Sequence, residues 1–213
     1  MTTPARNAFD EAYQSGTPPW VIGEPQAAVV ALEKSGAIRG TVLDVGCGLG
    51  EHTILLSSLG YDVLGVDFAP NAVAQARANA VAKGVDARFE VRDALSLGLE
   101  ADQAARYDTV LDSALFHVFG DDTDRARYVA SLHAVIRPGG VLHLLALSDE
   151  GRGFGPSVGE DTIRTAFIAG WNLETLEVTT YRGVVGAAQS KSLDLPVGTV
   201  VEEPAWLARV RRR

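Results

Sequence analysis

The stretch that decides the fold reads TVLDVGCGLGEHT and runs from Thr41 to Thr53. Its first part, Thr41–Val45, is almost entirely apolar, which is typical of a parallel strand buried on both faces. A glycine-rich turn follows, and the pattern predicts that a helix begins at Glu51. Glycine adopts positive φ and lets another group approach the backbone closely. The turn therefore predicts a place where a cofactor lies against the main chain.

The spacing of the glycines indicates which kind of cofactor fits. Dinucleotide-binding turns read G-x-G-x-x-G and direct backbone amides at a pyrophosphate, whereas this turn reads G-x-G-x-G and has Glu51 where the last glycine would stand. An acid in the first helical turn opposes a phosphate, and Asp44 adds a second negative charge beside the first glycine. Both acids favour a ligand with an ammonium or sulfonium group. The alternative is an ordinary strand-to-helix turn whose acid stabilises the helix dipole.

The segment resembles motif I of the class I S-adenosylmethionine-dependent methyltransferases, which is written (D/E)-x-G-x-G-x-G. Asp44, Gly46, Gly48 and Gly50 match this motif position for position. The resemblance implies that S-adenosyl-L-methionine is the cofactor and S-adenosyl-L-homocysteine the product. It also implies that Asp44 helps to hold the methionine portion and that the three glycines make room for the ligand.

The composition limits the possible classes of protein. The chain has 213 residues, of which 46% are apolar, so it can bury one good-sized core and fits one domain better than two. A formal charge of −8 argues against gripping phosphate backbones, so no nucleic acid partner is expected. One cysteine, Cys47, excludes an internal disulfide, and no signal peptide or long apolar span is visible. These features favour a cytoplasmic protein with no membrane partner.

Residues 1–40 precede the first predicted strand and form an N-terminal arm. The pattern predicts a helix over Ala5–Gln14 and a second helix over Pro25–Ser35. Between them, Thr17–Trp20 is predicted to be extended, because proline disfavours helix at the residue before it.

Two aromatic side chains of the arm, Tyr13 and Trp20, allow two interpretations. They either pack the arm onto the body or belong to a lid over a binding site, since binding groups favour loops on a rigid scaffold. The Tyr-(x)n-Pro-Trp pattern is similar to that of thiopurine-like and related small-molecule methyltransferases, in which an N-terminal helix closes the active site. This resemblance implies that Tyr13 contacts the substrate and Trp20 the cofactor.

Acids follow the next two predicted strands. Asp67 ends the second strand, 23 residues after Asp44, where a carboxylate can accept hydrogen bonds from both hydroxyls of a ribose. The resemblance makes Asp67 the ribose ligand and Phe68 a neighbour of the adenine ring. Asp93 and Ala94 follow the third strand and resemble the family's adenine-binding turn. The alternatives are a helix cap for Asp67 and a surface turn for Asp93.

The fourth predicted strand ends in DSALFHVF, residues 112–119. In the family this segment borders the transferable methyl group and the substrate, which places Asp112 beside the cofactor. Phe116 and Phe119 bracket His117 and predict a pocket for a compact, apolar or aromatic acceptor. His117 either packs under a loop or acts as the general base that deprotonates a hydroxyl acceptor.

The remaining segments complete an alternating pattern of strands and helices. Asp121–Asp124 predicts the first turn of a helix rather than a metal site, so no metal is expected. Ser157–Glu160 predicts a capping box at the start of a later helix. Two strands, Asn172–Tyr181 and Ala205–Val210, predict an antiparallel edge, while Gly183–Glu203 carries no clear pattern.

Taken together, these patterns predict an α/β fold, Rossmann-like, with a seven-stranded, mostly parallel sheet, an antiparallel C-terminal edge and an N-terminal helical lid. Residues 1–40 form the lid, as part of the same domain as the methyltransferase region, residues 41–213. The resemblance implies methyl transfer from S-adenosylmethionine to the O, N or S atom of a small, heteroaromatic molecule. The alternative is a non-catalytic regulatory protein that binds S-adenosylmethionine.

Overall fold

The structure is a computed structural model that describes residues 6–15, 18–99 and 102–213. The described residues form a seven-stranded sheet, as predicted. The strands in chain order are β1 (Thr41–Val45), β2 (Asp62–Asp67), β3 (Arg88–Val91), β4 (Tyr107–Ser113), β5 (Ile136–Leu147), β6 (Trp171–Val184) and β7 (Val200–Arg212).

Helices connect these strands and precede the first of them. In chain order they are α1 (Arg6–Ser15), α2 (Ala27–Lys34), α3 (Glu51–Ser58), α4 (Pro70–Ala82), α5 (Asp122–Val135), α6 (Glu160–Ala166) and α7 (Ala187–Leu193). Within the described ranges, no helix is long and apolar enough to cross a membrane.

The order of the strands across the sheet is β3-β2-β1-β4-β5-β7-β6. The first five strands in this order pair in parallel, whereas β7 pairs antiparallel with both β5 and β6. The direction in which the chain adds strands reverses between β1 and β4. Ligands of open α/β sheets bind outside the carboxyl ends of the strands at such a switch point. The glycine-rich turn follows β1 and therefore lies at this point.

The residues of β1 show why the first strand is apolar on both faces. Leu43 and Val45 belong to the main core cluster on one side of the sheet. Val42 faces the other side, where it packs with Leu56 of α3 and Val29 of α2. Each such side chain contributes about 1.5–3 kcal/mol when fully buried. Two covered faces explain the nearly continuous apolar run.

The antiparallel edge is longer than the sequence pattern indicates. The β6–β7 ladder continues past the predicted strands to the pair of Val184 with Val200. The segment Gly183–Glu203, for which no structure was predicted, contributes the end of β6, helix α7 and the start of β7.

Three local predictions on the helices and the arm are wrong. Helix α6 begins at Glu160 with Gly159 as its N-cap and without a side-chain cap, so Ser157 forms no capping box. Helix α2 begins at Ala27, so Pro25 precedes it. The arm is not extended before Val21, because the Val21 N–H closes a turn by donating to the Pro18 carbonyl at 2.9 Å. Two residues of the predicted arm segments, at positions 5 and 17, lie outside the described residues.

The predicted start of α5 is correct. Asp121 is its N-cap, and its carboxylate accepts the backbone N–H of Asp124 at 2.9 Å. This bond satisfies one of the free amides of the first helical turn.

Candidate active site

A cavity of about 670 Å³ lies at the carboxyl ends of the central strands, beneath α1. Its walls come from the glycine-rich turn, the segments after β2, β3 and β4, the N-terminal arm, and the loop after β5. This volume lies within the range of about 300–1,000 Å³ that is typical of small-molecule sites.

The glycines of the turn have different roles. Gly46 and Gly48 line the cavity, and Gly48 has φ +53°, a left-handed conformation that glycine adopts without strain. Gly50 also has positive φ, but a Cβ on it would lie 2.8 Å from the ring of Phe89 and 3.1 Å from the Cβ of Ala76. Gly50 is therefore needed for close packing of the turn against α4 and β3, and it is not among the cavity-lining residues.

Asp67 lies at the cavity wall with only 6% of its surface exposed. One carboxylate oxygen accepts the N–H of Gly48 at 3.0 Å, and the other accepts the N–H of Ala69 at 2.9 Å. Burial raises the pKa of this carboxyl, while the two backbone bonds act in the opposite direction. Each carboxylate oxygen has a second lone pair, so Asp67 can still accept hydrogen bonds from a ligand.

Two other acids at strand ends are placed differently. The Asp44 carboxylate accepts the hydroxyl of Thr53 at 2.6 Å, and Asp44 is buried. The Asp112 carboxylate accepts the hydroxyl of Tyr128 at 2.7 Å and the N–H groups of Leu115 and Phe116. Burial raises the pKa of both carboxyls, to about 6 for Asp112. Neither acid lines the cavity, so the prediction that they contact the cofactor directly does not fit this geometry.

The three residues that are predicted to surround the adenine ring lie after β2 and β3, at the cavity wall. Phe68, Asp93 and Ala94 all line the cavity. Asp93 shapes its own turn, since its carboxylate accepts the N–H of Leu95 at 3.0 Å. The ring of Phe68 meets the ring of Phe9 of α1 edge-on, with centroids 5.7 Å apart.

Aromatic residues of the arm lie at the cavity wall. The Trp20 indole N–H donates to the Tyr13 hydroxyl at 2.9 Å, and both side chains line the cavity. A Cβ on Gly48 would lie 3.1 Å from the Tyr13 hydroxyl, so this side chain stands directly over the glycine-rich turn. Helix α1 is held there by the Asp10 carboxylate, which accepts the backbone and side-chain N–H groups of Asn71 at 3.2 and 2.8 Å.

The two phenylalanines of the segment after β4 have different surroundings. Phe119 lines the cavity and packs against Tyr128 with ring centroids 4.7 Å apart. Phe116 is fully buried and packs against Phe167 of the core, with ring centroids 5.6 Å apart. The prediction that Phe116 contacts the substrate is therefore wrong, because its side chain points into the sheet–helix interface.

His117 lies between them at the cavity wall. Its Nδ1 accepts the backbone N–H of Leu147 at 2.9 Å. Burial lowers the pKa of the imidazole to about 4. The neutral ring therefore carries its proton on Nε2 and has no free lone pair, which does not fit the predicted role of a general base.

Several cavity residues could not be found from the sequence. His52 of α3 lines the cavity, and its Nε2 accepts the backbone N–H of Gln26 at 3.1 Å. The Gln26 side chain in turn bonds the backbone of Arg182, donating to its carbonyl at 2.8 Å and accepting its N–H at 2.9 Å. Gln26 and Arg182 are 156 positions apart, and no local sequence pattern predicts such a contact. Tyr181 and Phe154 also line the cavity, and both lie far along the chain from the glycine-rich turn.

The wall of the cavity carries more acids than bases. The acidic lining residues are Glu24, Glu51, Asp67, Asp93 and Asp124, and the basic ones are Arg92 and Arg127. A phosphate-rich ligand is disfavoured by this balance.

Similarity to known proteins agrees with this fold. The family described as "Methyltransferase domain" matches residues 42–140. A 2-heptyl-1-hydroxyquinolin-4(1H)-one methyltransferase of Mycobacteroides abscessus is 32% identical over 125 residues, which are 55% of this chain and 54% of the relative. This chain thus spans about half the length of that protein. An uncharacterized methyltransferase of Schizosaccharomyces pombe is 30% identical over 118 residues, 55% of this chain and 79% of the relative.

Solved structures give the same result over a longer part of the chain. A structure described as "Conversion of a Disulfide Bond into a Thioacetal Group during Echinomycin Biosynthesis" has a TM-score of 0.84 and 38% identity, and it covers 97% of this chain and 91% of its own. The N-methyltransferase NodS of Bradyrhizobium japonicum, solved with S-adenosyl-L-homocysteine, has a TM-score of 0.69 at 18% identity and covers 97% of both chains. The latter shows the fold alone.

An open α/β sheet with a cavity outside the carboxyl ends of its strands, at the switch point, is typical of folds that bind nucleotides or nucleosides. Among proteins with such folds, the chain belongs to the S-adenosylmethionine-dependent methyltransferases. S-adenosylmethionine is the cofactor of this family, and the lining residues fit it. Gly46 and Gly48 present backbone without a side chain to the cavity, and Asp67 presents a carboxylate whose remaining lone pairs can accept further hydrogen bonds.

Proposed function

We propose that this protein transfers a methyl group from S-adenosylmethionine to a small-molecule acceptor. The observation that carries the proposal is the two-part lining of the 670 Å³ cavity. One part, at the glycine-rich turn and the ends of β2 and β3, is polar and acidic. The other part, at the segment after β4 and the loop after β5, is apolar and aromatic.

The polar part is suited to the cofactor. Asp67 would accept the ribose hydroxyls, and Phe68, Asp93 and Ala94 would surround the adenine ring. Gly46 and Gly48 would let the methionine portion lie against the backbone. When bound, the cofactor supplies an electrophilic methyl group on a sulfonium. Trp20 and Tyr13 would cover the site and exclude water.

The apolar part is suited to the methyl acceptor. Its lining residues are Leu115, Val118, Phe119, Leu147, Phe154 and Pro156, with His117 among them. Such a wall favours a compact, aromatic or heteroaromatic molecule. The formal charge of −8 and the acids of the cavity disfavour nucleic acids as substrates.

The relatives indicate which acceptor atoms to test. The Mycobacteroides abscessus relative is named for a hydroxyquinolinone, and ubiquinone biosynthesis O-methyltransferases of Xanthomonas are 36% identical over 117 residues. The structure with 38% identity is described by the conversion of a disulfide. Aromatic hydroxyls and sulfur groups are therefore the first two classes of acceptor to test.

The proposal is tested by measuring S-adenosylhomocysteine formation by mass spectrometry. The probes are 1-hydroxyquinolin-4(1H)-one, 8-hydroxyquinoline, thiophenol and an aromatic disulfide, each with and without enzyme. We expect turnover of at least one probe, with the methylated product in equal amount. Calorimetric binding of S-adenosylmethionine without turnover of any probe would instead support a regulatory binding protein.

A further inference from the structure

The orientation of His117 is fixed by a single backbone bond. Leu147 is the last residue of β5, and its N–H donates to Nδ1 of His117 at 2.9 Å. A backbone N–H is always a donor, so Nδ1 must be the acceptor and cannot carry a proton. The bond therefore selects the tautomer with the proton on Nε2.

The ring stays neutral because of its surroundings. His117 is buried, and burial alone lowers the pKa of its imidazole to about 4, with no charged neighbour contributing. Protonation of Nδ1 would also break the bond to Leu147. At neutral pH the ring therefore has one proton, on Nε2, and no basic nitrogen that is free.

The remaining nitrogen, Nε2, is left without a protein partner in the described part of the chain, in a residue of the cavity wall. His117 is a cavity-lining residue, and Nε2 has no hydrogen-bond partner among the described residues. Among the described residues, the buried nitrogens without a partner do not include Nε2 of His117. Nε2 is therefore accessible to a ligand. An N–H that is directed at a ligand site can hold a lone pair of the ligand in a defined position.

We infer that His117 donates its Nε2–H to a lone pair of the methyl acceptor and does not remove the acceptor's proton. This inference rests on the proposed function. It defines the substrate class: molecules that become nucleophilic without a base from the enzyme. Such acceptors are acidic hydroxyls, as in N-hydroxy heteroaromatics and electron-poor phenols, together with thiols and neutral sulfur or ring nitrogen atoms.

The chemical step balances without an enzyme base. An acidic acceptor loses its proton to water before transfer, and the Nε2–H hydrogen bond stabilises the anion that forms. The acceptor's lone pair then forms the bond to the methyl carbon, and the carbon–sulfur bond breaks with its electron pair remaining on sulfur. A neutral acceptor reacts in the same way and keeps the positive charge, or loses a proton to water afterwards.

Three other titratable groups at the cavity are candidates for a base. His52 is held like His117, since its Nε2 accepts the Gln26 N–H and burial lowers its pKa. The Tyr13 hydroxyl accepts the Trp20 N–H, and burial raises its pKa well above the ordinary value. Glu51 has a carboxyl whose pKa is raised by burial, and it lies beside the glycine-rich turn, in the polar part of the cavity. Glu51 is therefore the rival to test directly.

The first experiment compares acceptors of different acidity with the wild-type enzyme. Initial rates of 4-nitrophenol, 4-cyanophenol, 4-chlorophenol and phenol methylation are measured from pH 5 to pH 9. We expect the acid limb of each profile to move with the acidity of the acceptor, because only the ionised acceptor reacts. An acid limb at the same pH for all four phenols would overturn the inference, because it would report an enzyme base. Loss of that shared limb in Glu51→Gln would identify Glu51 as the base.

The second experiment separates the two nitrogens of His117. In His117→Asn the side-chain oxygen can still accept the Leu147 N–H, but no donor reaches the Nε2 position. In His117→Gln the amide N–H₂ reaches that position. We expect kcat/KM to fall about tenfold to a hundredfold in the Asn variant, the range of one lost hydrogen bond to a charged group, and to recover largely in the Gln variant. Equal losses in both variants, at unchanged affinity for S-adenosylhomocysteine, would contradict a donor role.

The third experiment does not depend on turnover. Ring nitrogen shifts of ¹⁵N-histidine protein, assigned with His117→Gln, report the tautomer and charge of His117 directly. We expect the Nε2–H form from pH 8 down to pH 5.5. A proton on Nδ1, or titration near the ordinary histidine pKa, would overturn the inference. If no probe is methylated, the proposed function fails, whereas this spectrum still decides the state of His117.

Discussion

Asp67 accepts the backbone N–H of Gly48 at 3.0 Å, across the gap between the end of β2 and the turn that follows β1. The acid that we assign to the ribose hydroxyls therefore also fixes the shape of the glycine-rich turn. Its second oxygen accepts the N–H of Ala69, at the start of α4. Because one carboxylate joins the end of β2 to the glycine-rich turn and to the start of α4, changes to Asp67 should affect both the proposed cofactor site and the local fold.

The replacement Asp67→Asn should weaken S-adenosylhomocysteine binding at least about tenfold, since a hydrogen bond to a charged acceptor contributes about 1.5–3 kcal/mol. The amide also places an N–H₂ opposite one of the two backbone donors, so the melting temperature should fall. Asp62→Asn is the matched control, because Asp62 begins the same strand and makes an exposed ion pair with Arg88. Titration calorimetry measures both affinities. Wild-type affinity in Asp67→Asn would refute the ribose assignment.

Gly48→Ala and Gly50→Ala should have different effects, although the two glycines belong to one motif. A Cβ on Gly50 meets the Phe89 ring at 2.8 Å, so this variant should lose about 2–4 kcal/mol of unfolding free energy through overpacking and left-handed strain. A Cβ on Gly48 meets the movable end of Tyr13, so its stability cost should be about 1 kcal/mol. Its main effect should be lost cofactor affinity. Urea unfolding and calorimetry on both variants distinguish these results, and a larger stability loss in Gly48→Ala would contradict the assignment.

Tyr13→Phe tests the arm as a lid. The change removes the oxygen that accepts the Trp20 N–H at 2.9 Å, so the closed arrangement should lose about 0.5–1.5 kcal/mol and turnover should fall several-fold. The melting temperature should be the same as that of the wild-type protein. Tyr61→Phe is the control, because its hydroxyl bonds Glu33 away from the cavity. Steady-state rates and thermal melts are measured for both variants. Unchanged turnover in Tyr13→Phe would indicate that the arm only packs onto the body of the protein.

A larger change to the arm should have a larger effect. Deletion of residues 1–15 removes α1, and we expect turnover to fall by about tenfold or more, because poorly positioned reactants react slowly. The deletion must stop before Pro19, whose carbonyl accepts the N–H of Val184 at 2.7 Å. A truncated protein with full activity would show that α1 has no part in catalysis.

Asp112→Asn should make the stability of the protein less dependent on pH between 3.8 and about 6, with a constant cost at every pH because the amide N–H₂ meets donors that the Asp112 carboxylate accepts. Burial raises the pKa of Asp112 from 3.8 to about 6, so the folded protein binds this proton more tightly than the unfolded chain. Its contribution to stability is therefore most favourable below pH 3.8 and decreases as the pH rises to about 6. Asparagine removes this cost of ionisation, which is at most about 3 kcal/mol above pH 6. Denaturant unfolding at pH 4.5 and 7.5 measures the effect, and an equal change at both pH values would contradict it.

The sequence by itself determined the order of strands and helices around the switch point. The apolar run of Thr41–Val45 and the glycines after it are local signals, because strand burial and positive φ constrain the residues at those positions directly. The same holds for Asp67, whose position at a strand end places it at the edge of the sheet where ligands bind. These inferences needed only the periodicity and spacing of neighbouring residues.

The tertiary structure alone decided which strand-end side chains reach the cavity. Asp44, Asp67 and Asp112 each stand at the last or second-to-last position of a parallel strand, yet of these three only Asp67 lines the wall. The Asp44 and Asp112 carboxylates instead accept the hydroxyls of Thr53 and Tyr128, which are buried. Phe116 and Phe119 are three residues apart, and the short helical turn between them directs one into the core and the other into the cavity. The proton of His117 is placed by Leu147, a residue 30 positions away. Side-chain direction and hydrogen-bond partners depend on contacts between distant segments, and the local sequence does not encode them.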